Sequence, residues 1–159
     1  MSDIYTEHFA FVWRTLRRLG VDARHAEDLA QEVFVVVHRR WATYDSTRPL
    51  KPWLFGITYN VTRDHWRRAS TRHERLAEPE DRGDSDPRFR AIEARELVYL
   101  ALQRLPEERR TVFVLYELDH VPMKEVAELL QIPLDTAYSR LRVGREEFRK
   151  AATRLQREG

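Results

Sequence analysis

The chain has 159 residues, with 28 Lys and Arg against 26 Asp and Glu, 6 His and no Cys. Without a thiol it has no disulfide framework, no Cys-ligated zinc or iron–sulfur centre and no cysteine nucleophile. Uninterrupted apolar runs such as Val33–Val37 and Val112–Tyr116 are about five residues long, far short of a bilayer span, and Met-Ser-Asp-Ile-Tyr-Thr-Glu lacks the basic start and apolar stretch of a secretory leader. With 42% hydrophobic and 34% charged residues of mixed sign, the expectation is a globular, soluble, cytoplasmic protein with no membrane insertion.

Helical periodicity runs along the chain. Phe9, Val12, Trp13, Leu16 and Leu19 recur at the spacing of one helix face, and Gly20 is a natural stop. Asp22 is placed to cap the next segment, where Ala26, Leu29, Ala30, Val33 and Val37 share a face. The β-branched run Val33–Val37 has strand character by itself, but the helical period enters it from both sides and predicts a helix. Trp41 to Pro49 reads as a loop. Pro52 fits a helix first turn, and Trp53, Leu54, Ile57 and Val61 give the apolar face of a third helix reaching Arg68 or beyond.

Residues 77–88 break the pattern with two Pro, one Gly and five acidic residues, which describes a linker. Beyond it, Phe89, Ile92, Val98, Ala101 and Leu105 lead to Pro106, which starts a helix through Val112, Leu115 and Tyr116. His120-Val121-Pro122 interrupts. Met123–Leu130 is predicted helical, Gln131-Ile132-Pro133 is a turn, and the last helix runs from about Leu134 to Leu155. The predicted fold is all-α: two small helical domains, 1–76 and 91–159, joined by a flexible acidic linker, 77–90, with a helix-turn-helix in the C-terminal domain.

Charge is divided in the same way. Residues 1–76 carry 13 basic and 9 acidic side chains, residues 77–96 carry 4 and 7, and residues 97–159 carry 11 and 10. The basic residues are 25 Arg and 3 Lys. Arg suits phosphate and base-edge contacts, although a GC-rich coding bias produces the same skew.

Three surfaces carry chemistry. In residues 122–145, Val126, Ala127 and Leu130 face inward, the small Ala127 allows a close crossing, Ile132 plugs the turn, and Leu134, Ala137 and Leu141 line the second helix. The outward face holds Thr136, Tyr138, Ser139, Arg142 and Arg145, which suit phosphates or base edges in a major groove. An ordinary helical hairpin with a solvated face has the same spacing. On the third helix, Gly56, Asn60, Arg63 and Arg67 share one face, and Trp66, Arg68, Arg72, His73 and Arg75 continue its basic, aromatic character. The loop residues Trp41, Tyr44, Asp45 and Ser46 suit a pocket for an extruded base. That stripe reads equally as a solvent-facing surface. On the second helix, Asp28, Gln31 and Glu32 share a face that suits a basic protein partner or plain solvent.

Together these features resemble the extracytoplasmic-function sigma factors of bacterial RNA polymerase, in the sigma-70 family. The resemblance rests on Ala26-Glu27-Asp28-Leu29-Ala30-Gln31-Glu32-Val33-Phe34, on Trp53-Leu54-Phe55-Gly56-Ile57 with Asn60, Arg63, Asp64 and Arg67-Arg68, on Leu105-Pro106-Glu107-Glu108-Arg109-Arg110, and on Ser139-Arg140-Leu141-Arg142-Val143-Gly144-Arg145. It spans about residues 5–155. It implies sigma region 2 in 1–76 and sigma region 4 in 91–159. By the resemblance, Asp28, Gln31 and Glu32 dock on the clamp-helix coiled coil of core RNA polymerase. Trp41, Tyr44, Asp45, Ser46, Asn60, Arg63 and Arg67 open and read the −10 element of promoter DNA as a single strand. Thr136, Tyr138, Ser139, Arg142 and Arg145 read the −35 element as duplex, and the acidic linker threads through the polymerase. It further implies an anti-sigma factor as partner, which can hold the protein at the inner membrane face, and implies no catalysis, cofactor or metal.

Four residues depart from the family pattern. Gln131 stands where Gly often closes the first helix of the motif, Tyr138 and Val143 replace commonly basic residues, and Gly144 replaces a usual Ala at about 1 kcal/mol of helix propensity. Two other readings compete. A stand-alone helix-turn-helix regulator explains 122–145 but leaves the acidic face and the Asn60 stripe unused. A di-metal helical bundle needs two Glu-x-x-His pairs, and Glu117-Leu-Asp-His120 is a single copy.

Overall fold

The computed structural model describes residues 2–71 and 94–158. The predicted linker, together with Arg72, His73, Arg75, Phe89 and Ile92, lies outside the described residues. The described residues are helical, with no strand among them, and fall into two compact units.

In the first unit, α1 (Ser2–Leu19) ends at Gly20, whose φ of 106° is open to glycine and reverses the chain. Asp22 then caps α2 (Ala23–Arg40): its Oδ1 accepts from the Arg24 N–H at 3.1 Å. That backbone hydrogen bond is the main reason its carboxyl titrates below the ordinary value. A 3₁₀ turn (Trp41–Thr43) and an irregular loop lead to α3 (Leu50–Thr71). The three helices bury Val12, Leu16, Val21, Ala26, Leu29, Ala30, Val33, Val37, Leu54, Ile57 and Val61 in one core. Burial of Val33, Phe34 and Val37 outweighs the strand preference of their run, so that segment is helical as predicted. Trp13 corrects the α1 stripe. It is 38% exposed, while Phe11 takes the buried place and lies under the Lys51 ammonium at 5.6 Å. The indole sits at the edge of the stripe, where Val12 and Leu16 already fill the gap between helices.

The second unit is built on the long α7 (Leu134–Glu158), against which α4 (Ala94–Gln103), α5 (Glu107–Phe113) and α6 (Met123–Leu130) pack. Between α5 and α6 the helix continues as a π-helical turn, Val114–Leu118, rather than as regular α-helix. Phe113 and Phe148 stack at 4.6 Å, and Leu102, Leu105, Val112, Leu115, Val126, Ala137 and Leu141 are buried. Gln131 closes α6 in the left-handed region, φ 55°, where the usual Gly would be unstrained. Leu134 corrects the inner face of the motif: it is 44% exposed, because as the first residue of α7 it projects beyond the contact made by Ala137 and Leu141.

Gly144 is buried where α7 passes α5. A methyl group there would meet the Arg109 carbonyl oxygen at 3.4 Å, Arg109 Cβ at 3.5 Å and Leu105 Cδ2 at 3.8 Å, all ordinary contacts. Gly144→Ala is therefore expected to stabilise the protein by about 1 kcal/mol through helix propensity. Thermal unfolding followed by far-UV circular dichroism checks this. A lowered midpoint would mean that the approach to Arg109 cannot take a methyl group.

Candidate functional site

The acidic face lies on α2. Asp28, Gln31 and Glu32 share one face, as their three- and four-residue spacing requires, and all three are exposed. Glu32 also pairs with Arg68 of α3, its Oε2 lying 3.6 Å from the Arg68 Nη2, with both side chains about half exposed. Val35 continues the same stripe one turn further and is 51% exposed. It borders an open groove lined with Tyr5, Gln31, Phe34, His38 and Arg39. Tyr5 rests edge-on against Phe34 at 4.9 Å. The sequence does not single out Val35 or Tyr5 for this groove, since apolar spacing gives no sign of which residues the helices leave uncovered.

The loop after α2 is shaped by its own polar groups. Thr43 Oγ1 donates to the Arg40 carbonyl (2.7 Å) and the Tyr44 hydroxyl to the Arg48 carbonyl (2.5 Å). Asp45 Oδ1 accepts from Thr47 Oγ1 (2.6 Å) and from the Thr47 N–H (3.0 Å), which holds its carboxyl below the ordinary carboxylate value. Asp45 thus fixes the turn. Trp41, Tyr44 and Trp53 form an aromatic cluster with ring centroids 4.9 to 6.0 Å apart, and Trp41 and Ser46 are exposed. Trp53 belongs to this cluster, although its spacing places it on the apolar face of α3. Further along α3, Asn60, Arg63 and Arg67 are exposed, and the Arg63 guanidinium lies 5.8 Å over the Tyr59 ring. The cluster and the polar stripe are therefore carried by one helix and the loop that feeds it.

On α7, Tyr138, Ser139, Arg142 and Arg145 line one open groove with Asp135 and Leu141, and Tyr138 is 51% exposed. Thr136 is half-buried and does not line that groove. Arg145 is ion-paired with Glu117. Behind this face, Arg109 and Glu147 form a two-point ion pair between α5 and α7, with Arg109 Nη2 donating to Glu147 Oε2 at 3.0 Å. That hydrogen bonding is the main reason the Arg109 pKa is raised. Among the described residues there is no cluster of three or more metal-ligating side chains and no helix long and apolar enough to cross a membrane.

Comparison with known proteins gives the class. Residues 4–72 match the Sigma-70 region 2 family and residues 95–148 the Sigma-70 region 4 family. The RNA polymerase sigma factor CarQ of Myxococcus xanthus is 31% identical over 164 residues, covering 99% of this chain and 91% of CarQ. The ECF RNA polymerase sigma factor SigW of Bacillus subtilis is 28% identical, covering 93% of this chain and 84% of SigW. Among solved structures, the sigma factor RpoE from Bartonella quintana, in complex with the anti-sigma factor NepR, has the same fold, with a TM-score of 0.74 at 18% identity over 96% of this chain and 98% of that one. The chain belongs to the sigma-70 family of RNA polymerase sigma factors, in the extracytoplasmic-function class. A stand-alone helix-turn-helix regulator accounts for only one of the two matched regions and is not favoured.

Proposed function

We propose that the first unit docks on core RNA polymerase through Asp28, Gln31 and Glu32 and captures the −10 strand with Trp41, Tyr44, Ser46, Asn60, Arg63 and Arg67, while the second unit reads the −35 duplex with Thr136, Tyr138, Ser139, Arg142 and Arg145. Asp45 contributes by fixing the loop that presents Trp41 and Tyr44. The chain performs no catalysis; it selects where the polymerase starts, in the cytoplasm. The observation that carries this reading is the aromatic cluster that presents an exposed Trp41 beside half-buried Tyr44 and Trp53 and leads into an exposed Asn and Arg stripe on α3, a surface with a π-face for an unpaired base and cations for the backbone. The acidic face of α2 suits a basic protein and would repel DNA, so the two surfaces divide the work between polymerase and promoter.

The solved relatives point to a second partner. RpoE of Bartonella quintana is bound to the anti-sigma factor NepR and CnrH to the cytosolic domain of CnrY, which supports an anti-sigma protein as the regulator of this chain too. Val35 and the groove beside it extend the docking face with an apolar contact.

Trp41→Ala tests the −10 reading. Loss of one stacked base is worth about 1–3 kcal/mol, so promoter opening by the reconstituted holoenzyme is expected to fall about tenfold or more. Permanganate reactivity of unpaired thymines on a fragment selected by the wild-type holoenzyme measures this. Unchanged reactivity would remove Trp41 from the strand-capturing surface.

A further inference from the structure

Arg145 differs from its neighbours on the reading face because a carboxylate and an aromatic ring from another element hold it. Glu117 accepts from Arg145 Nε across 28 residues of sequence, and the Tyr116 ring lies 5.7 Å beneath the Arg145 guanidinium carbon. Both come from the π-helical turn Val114–Leu118. A π turn is an α-helix that takes up one extra residue, and it concentrates at functional sites. Within this turn, Tyr116 and Glu117 both reach Arg145 of α7.

The contact has a direct chemical consequence. An arginine side chain carries about 2 kcal/mol of rotamer entropy that binding must remove. Glu117 takes Nε, which leaves Nη1 and Nη2 as the donors for an incoming phosphate or guanine edge. The Tyr116 ring limits swing in the remaining direction. Glu117, with its side chain 29% exposed, keeps its negative charge beside the reading face, and the pair offsets only part of it.

We infer that Glu117 and Tyr116 are positioning residues for duplex reading: they fix Arg145 in one orientation so that its two terminal amino groups meet the −35 element already ordered. This rests on the proposed reading of α7 as the −35 helix.

Charge and positioning predict opposite signs for one isosteric change. Glu117→Gln removes a negative charge beside a polyanion, which by charge alone tightens DNA binding. Loss of positioning weakens it. The experiment uses holoenzyme reconstituted from core polymerase and the full chain, with a duplex that the wild-type holoenzyme has selected from a random-sequence library. Affinity is measured for wild type, Glu117→Gln, Arg145→Gln and the double variant, with thermal unfolding of each free chain alongside. Glu117→Gln is expected to weaken binding about fivefold and Arg145→Gln about tenfold, with the double variant no weaker than Arg145→Gln alone. Binding by Glu117→Gln as tight as wild type or tighter would overturn the inference, and so would losses that multiply in the double variant. If Arg145→Gln itself binds like wild type, the −35 role of Arg145 fails, and positioning fails with it.

Discussion

Reversing the charge of the acidic face, Asp28→Lys with Glu32→Lys, is expected to abolish co-elution of the chain with core RNA polymerase at micromolar concentration, a loss of about 100-fold in affinity. Each reversal removes an attraction and adds a repulsion, and like charges brought together across an interface cost several kcal/mol. The fold should survive. Both positions are exposed, and the contact at stake is the half-exposed pair of Glu32 with Arg68. Exposed pairs of this kind are worth about 0–1 kcal/mol, so the unfolding midpoint should move little. Gel filtration of the mixture, with a melting curve of the free variant, separates docking from stability. Undiminished co-elution would place the docking surface elsewhere on the chain.

The largest effect on stability is expected at Arg110. Its Nε donates to the Leu102 carbonyl at 3.1 Å and its Nη2 to the Leu105 carbonyl at 3.0 Å, at the end of α4 where carbonyls run out of helical partners. Burial pulls its pKa down from the ordinary arginine value, yet the group stays charged at any working pH. Arg110→Met keeps the apolar stem and deletes both hydrogen bonds. A charged hydrogen bond contributes about 1.5–3 kcal/mol, so a loss of about 2–4 kcal/mol is expected in chemical denaturation, with Arg110→Lys intermediate because a single ammonium lacks the guanidinium fork. A loss below about 0.5 kcal/mol would mean that water replaces the guanidinium at no cost.

Much of this architecture is visible in the sequence because local signals and burial agree. Asp22 caps α2, Gly20 turns the chain, and Met123–Leu130 and the turn after it lie where the apolar spacing puts them. Trp13 and Leu134 misled because periodicity names a face without saying how much of it neighbouring helices can cover. Val35 is one of five consecutive apolar residues, of which a helix buries only some: Val33, Phe34 and Val37 are covered and Val35 is not. The π-helical turn has no sequence signature, since Val114–Leu118 would form a regular helix equally well by propensity. The pairs Glu32–Arg68 and Glu117–Arg145 exist only once helices distant in sequence come together. Arg145 was therefore legible as a cation on the reading face, but not as one held in place.

The most direct test of the promoter-selecting role is to map RNA 5′ ends made in vitro by core RNA polymerase on fragmented bacterial genomic DNA, with and without this chain. The sigma reading predicts new start sites that appear only with the chain and share two sequence elements, one near −10 and one near −35. An unchanged set of start sites, from a core that remains active with another sigma factor, would contradict it.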